Sequence, residues 1–122
     1  MSPVHAAIGW VIVSGFGLLW LWGLGAWIVR RGPGRWFWYL VGALQATLLV
    51  QALVGVILLF LGLRASLLHY VYGIVFPVLL LLTAHVLARD AFKHRPWGPF
   101  AAAAFFIFGL TLRALMTGLG YP

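Results

Sequence analysis

Four long apolar runs, separated by short polar breaks, constrain this chain more than any other feature of its sequence. The runs cover about residues 4–29, 36–63, 67–88 and 99–119. Each is long enough for a helix to cross a bilayer, which takes about 20 apolar residues. Only 7% of the 122 residues are charged, against roughly 25% in an average soluble domain. The sequence therefore predicts an all-α integral membrane protein, a single transmembrane domain (1–122) with four spanning helices.

The breaks between the runs predict how the helices are oriented. Short connections favour antiparallel neighbours and hence an up-down four-helix bundle. Basic side chains concentrate in the first and third breaks: Arg30, Arg31, Arg35, Lys93, His94 and Arg95. The second break has only Arg64, and the termini have no lysine or arginine. By the positive-inside rule the two basic breaks face the cytoplasm, so both termini lie on the outer side of the cell (inner) membrane.

Composition excludes several classes of site. The chain has no cysteine, so disulfides, thiolate metal sites and covalently attached haem are excluded. The net charge of +7 comes from cations that flank the apolar runs, so lipid headgroups are expected as partners rather than nucleic acid. No nucleophile–base pair or carboxylate dyad is visible, so we do not expect an enzyme.

The predicted topology brings several polar residues to one depth near the outer face. His5 opens the first run, His69 opens the third, and Arg113 lies close to the end of the fourth. Arg64 lies in the break just before the third run. Ionisable groups at membrane depth are costly and usually functional. We therefore expect these four residues to form one site.

Two features of this set point to haem. Each outer histidine is followed four residues later by a glycine, Gly9 and Gly73, which on a helix leaves a gap on the same face as the imidazole. Neutral imidazole is a common ligand of haem iron. Arg113 has no acidic partner nearby, so an anion such as a haem propionate would satisfy it. The prediction is one haem b held by His5 and His69 as axial ligands, with Arg64 and Arg113 on its propionates.

Two other polar residues lie inside the runs. Gln51 is near mid-membrane and shares a helix face with Thr47 and Gly55, so we expect it to turn inward and form an interhelical hydrogen bond. His85 follows His69 by sixteen residues, about 160° around an ideal helix. The two histidines should then face nearly opposite directions, and His85 is at most a candidate for a second site.

At His5/Gly9 and His69/Gly73 the chain resembles b-type membrane cytochromes of the cytochrome b561-like kind. The resemblance implies bis-histidine haem between helices of a four-helix bundle, with electron transfer as the function. The sixteen-residue spacing of His69 and His85 in this chain departs from the two-haem pattern of those proteins. One haem is therefore expected here.

The sequence is also compatible with other functions. An accessory subunit of a larger respiratory or photosynthetic membrane complex would use the glycines and tryptophans as packing surface. A quinone site would involve His69, Tyr70 or Tyr72, and a second copy of the chain is a further candidate partner. A small transport protein is also an alternative, although the sequence contains no glutamate of the kind that couples small multidrug exporters to cations.

Overall fold

The computed structural model describes residues 3–62 and 67–119. All regular structure in these residues is helical, and four helices are long and apolar enough to cross a membrane. We call them the first to fourth spans: Pro3–Val29, Arg35–Phe60, Leu67–Asp90 and Trp97–Gly118. The expectation of an all-α chain with four candidate membrane spans is therefore confirmed, and the chain has the form of a multi-pass membrane protein.

The third span is not a uniform α-helix. It begins as a short α-helical turn at Leu67–Tyr70, continues as a π-helix over Val71–Val75, and becomes α-helical again at Phe76–Asp90. Pro77 explains the change, because proline has no N–H to donate and its ring clashes with the carbonyl four residues back. In the widened turn the N–H of Phe76 donates to the carbonyl of Val71, five residues back, instead of the carbonyl four residues back. Such π-bulges occur frequently at functional sites.

Small residues on the first span determine how closely it packs. A Cβ on Gly23 would overlap the methyl group of Ala101, and a Cβ on Gly15 would overlap the side chain of Leu44. The absence of side chains at these two positions lets the fourth and second spans approach, as small residues do between helices in lipid. The largest fully buried side chains near these contacts are Phe16, Phe37 and Ile107.

Aromatic side chains fill one end of the bundle, which we call the aromatic end. Trp22 meets Phe37 edge-on with ring centroids 6.1 Å apart, and Trp38 meets Phe100 at 5.4 Å. Edge-to-face pairs of this kind add stability beyond their buried area. The opposite end, which carries His5 and His69, has fewer large side chains and is called the histidine end below.

The spans do not pack equally against one another. Among the described residues, the first span packs against the fourth and the second, and the third packs against the fourth. The second and third spans make almost no close backbone approach. A groove, called the seam below, separates them.

Candidate functional site

The first and third spans bring His5 and His69 together at the histidine end. Their ring centroids are 5.9 Å apart with an angle of 64° between the ring planes. His5 is only 7% exposed, and its ring lies over Gly55 of the second span, where a Cβ would be 3.6 Å from His5 Cε1. Two imidazoles from distant parts of the sequence therefore share one site.

A hydrogen bond to the fourth span orients His69. Its Nδ1–H donates to the carbonyl oxygen of Ala114 at 2.7 Å. The hydroxyl of Thr117 donates to the same carbonyl at 2.9 Å and lies 3.4 Å from His69 Nδ1. Because a carbonyl only accepts, Nδ1 carries the proton and Nε2 carries the lone pair that a metal requires. A backbone carbonyl behind the imidazole is the usual support of a metal-ligating histidine.

Gln51 links the second span to the start of the first. Its amide Nε2 donates to the carbonyl oxygen of His5 at 2.8 Å, which matches the expected interhelical hydrogen bond. Its Oε1 is buried without a hydrogen-bond partner among the described residues. A buried polar atom left in this state is costly. Gln51 therefore offers an acceptor that the described residues do not satisfy. Thr47, on the same face, donates to the carbonyl oxygen of Ala43 in its own helix.

A cavity of about 60 Å³ lies beside the two imidazoles. Its wall includes both predicted histidines, both predicted glycines and Gln51. The cavity has room for a few water molecules, and it is far smaller than the roughly 300 Å³ at which ordinary ligand pockets begin. A flat macrocycle therefore fits here only if the seam widens.

The two glycines differ in how much space their missing side chains leave. A Cβ on Gly9 would be 3.2 Å from Leu115 Cδ1 and 3.5 Å from Gln51 Nε2, so neighbouring side chains partly fill that space. A Cβ on Gly73 would be 3.4 Å from the Ala114 methyl carbon, which is ordinary van der Waals contact. Both glycines nevertheless border the cavity beside the imidazoles.

Of the two predicted arginines, the structure describes only Arg113. Arg113 directly precedes Ala114 on the fourth span, but among the described residues it does not line the cavity, whereas Thr111 and Ala114 do. Arg64 lies outside the described residues. Asp90, the one acid of the chain, pairs with Arg89 at 2.9 Å.

The π-helical turn alters the angle predicted between His69 and His85. The π-helical turn adds about one residue to the helix between His69 and His85, which rotates the later residue by about 100° and reduces the angle from about 160° to about 60°. Both histidines consequently border the seam. His85 Nε2 lies 2.7 Å from Gln45 Oε1 on the second span, and its ring meets Phe100 edge-on at 4.8 Å.

Sequence reasoning missed the partners on the fourth span. Ala114 contributes only a backbone carbonyl, which no side-chain pattern reveals. Thr117 offered a signal, since a hydroxyl in the last turn of the fourth run shares the predicted depth of His69. On the second span, Gln45 offered another signal for its bond to His85, because an amide inside an apolar run needs a partner.

No known family model, curated protein or solved structure matches this chain. What the site does must therefore follow from its own geometry.

Proposed function

We propose that this chain is a cytoplasmic-membrane protein that binds one haem b non-covalently between His5 and His69, for electron transfer or haem handling. The observation that carries the proposal is the pair of imidazole rings 5.9 Å apart. Metal–imidazole bonds are about 2 Å long, so two rings facing a shared metal have centroids about 6 Å apart. The spacing thus fits bis-histidine ligation.

The small number of ligands favours haem over a bare metal ion. Within residues 3–62 and 67–119 no group of three or more histidine, cysteine or acidic side chains could hold a metal. Two imidazoles suffice when a porphyrin supplies the other four nitrogens, since haem needs only axial ligands from the protein. When bound, such a haem carries one electron at a time.

The side chains around the site have defined roles in this proposal. Ala114 and Thr117 hold His69 in the tautomer whose Nε2 is a ligand, and Gln51 ties the backbone of His5 to the second span. Arg113, with Arg64, stays a predicted propionate partner. With His5 and His69 both bound to the iron, the haem would favour electron transfer over binding of oxygen.

The proposed topology is an antiparallel up-down bundle with both termini on the outer side. Contacts between the first two spans support it, because Trp22 meets Phe37 and His5 meets Gly55. The basic breaks at the other end supply the positive-inside signal. The histidine end, and the haem with it, would then lie near the outer face.

The direct test is the absorption spectrum of wild-type protein purified from haem-replete cells in mild detergent. We expect a low-spin b-type spectrum that changes on dithionite reduction, with one haem for each chain. A colourless preparation that does not take up added haemin would refute the proposal. Colourless protein that copurifies with other subunits in fixed ratio would support the accessory-subunit alternative instead.

A further inference from the structure

The seam between the second and third spans contains a second cavity, of about 230 Å³, towards the aromatic end. Gln45 and His85 are the polar side chains in its wall, which is otherwise apolar: Leu48, Leu49, Ala52, Gly73, Ile74, Val78, Leu81 and Leu82. An apolar pocket with a few convergent polar groups is the usual form of a small-molecule site. Its volume is nearly four times that of the cavity beside His5 and His69, and it approaches the roughly 300 Å³ at which ordinary ligand pockets begin.

The two polar residues form a donor–acceptor pair. Since Gln45 Oε1 only accepts, His85 Nε2–H donates to it across the 2.7 Å separation. With a neutral imidazole, the pair would also offer the amide N–H₂ group of Gln45 as donor and Nδ1 of His85 as acceptor. These groups would suit a head group that carries carbonyl or hydroxyl oxygens.

The depth of Gln45 and His85 along their helices favours a ligand that enters the seam from the bilayer. His85 is five residues before the last residue of the third span, Asp90, or about 7.5 Å along the helix axis. Gln45 is ten residues after Arg35, about 15 Å along the second span. Both therefore lie within the predicted apolar layer, and the seam beside them is bounded by spans that scarcely approach each other. A head group reaching them must be soluble in lipid.

The two cavities of the seam adjoin each other. Both are lined by Leu48, Ala52, Gly73 and Ile74. A ligand beside His85 would consequently be a near neighbour of anything held by His5 and His69. This continuity distinguishes the seam from a general lipid-facing groove.

We propose that the seam binds a membrane quinone, with its ring between the second and third spans and its oxygens on Gln45 and His85. The choice of a quinone over an ester lipid rests on the proposed function, because a quinone exchanges electrons with a haem and a lipid ester does not. His85 is thus a quinone ligand in this assignment and not the axial ligand of a second haem.

Binding of decylubiquinone to the full-length protein in detergent tests the assignment. We expect saturable binding with one site for each chain. His85→Leu and Gln45→Leu should each weaken it about five- to tenfold, the effect of one lost hydrogen bond. His94→Leu is the matched control, since His94 is exposed in the break after the third span and should leave binding unchanged.

Two further arms make the test decisive. Val78→Trp fills the seam while leaving the hydrogen-bonding pair in place, and it should abolish binding without loss of helical circular dichroism. 1-Decanol, which has the alkyl tail but no quinone ring, should not displace decylubiquinone from the seam. Equal binding by wild type, His85→Leu and Gln45→Leu, or equal occupation by decanol, would overturn the assignment.

Haem content measured in the same samples separates this inference from the proposed function. Quinone binding by haem-free protein would leave the seam assignment standing and refute the haem proposal. A protein that carries haem but binds no decylubiquinone would refute only the seam assignment.

Discussion

The interface between the first and fourth spans differs sharply from the seam between the second and third. At the interface, side chains as small as glycine and alanine meet, and Ala104 and Ile107 are fully buried. At the seam, branched apolar side chains border a groove that the hydrogen bond from His85 to Gln45 crosses. In lipid there is little hydrophobic force between helices, so close packing supplies their association. Close packing is therefore concentrated between the first and fourth spans, whereas the proposed ligand access lies between the second and third.

The largest effect on this comparison is expected from Gly23→Ala. The added methyl group would overlap Ala101, whose own methyl is fixed to the helix backbone and cannot rotate away. Overpacking of this kind costs about 1–3 kcal/mol. The measurement is the free energy of unfolding in detergent.

Gly25→Ala is the matched control for that substitution. It lies on the same helix two residues later, and a Cβ there would meet no atom within 4 Å among the described residues. We expect it to leave stability unchanged or to raise it slightly, because alanine favours helix over glycine. Equal stability of the two variants would show that the first and fourth spans are not packed as described.

A smaller effect is expected from Gln51→Leu, which removes the bond to the His5 carbonyl. The loss should be about 1 kcal/mol in the free energy of unfolding, because this bond joins two spans. Thr47→Val is its control, since the Thr47 hydroxyl donates to the Ala43 carbonyl of its own helix and should matter less. If Thr47→Val costs as much as Gln51→Leu, the link between the spans contributes nothing of its own.

Much of the site was predictable from the sequence, because helix depth follows from counting residues. His5 and His69 each open an apolar run, and runs that start on one side of a membrane place their first residues at one depth. Depth cannot show which neighbour fills the space beside a glycine. For that reason Gly9 was expected to stand open, whereas Leu115 and Gln51 partly fill the space beside it.

The orientation of His85 could not be derived by the same counting. An ideal helix gives about 160° between it and His69, but Pro77 forces a π-helical turn between them. One extra residue in that turn moves His85 onto the seam. A proline predicts a disturbance in the helix, but the local packing determines whether the helix kinks or widens.

The most direct test of the central claim is the ligand set of the haem. We expect His5→Ala and His69→Ala each to abolish the low-spin spectrum, because each removes one axial ligand. His85→Leu should retain low-spin haem, as should His94→Ala. Retention of the wild-type low-spin spectrum in either His5→Ala or His69→Ala would contradict the site described here.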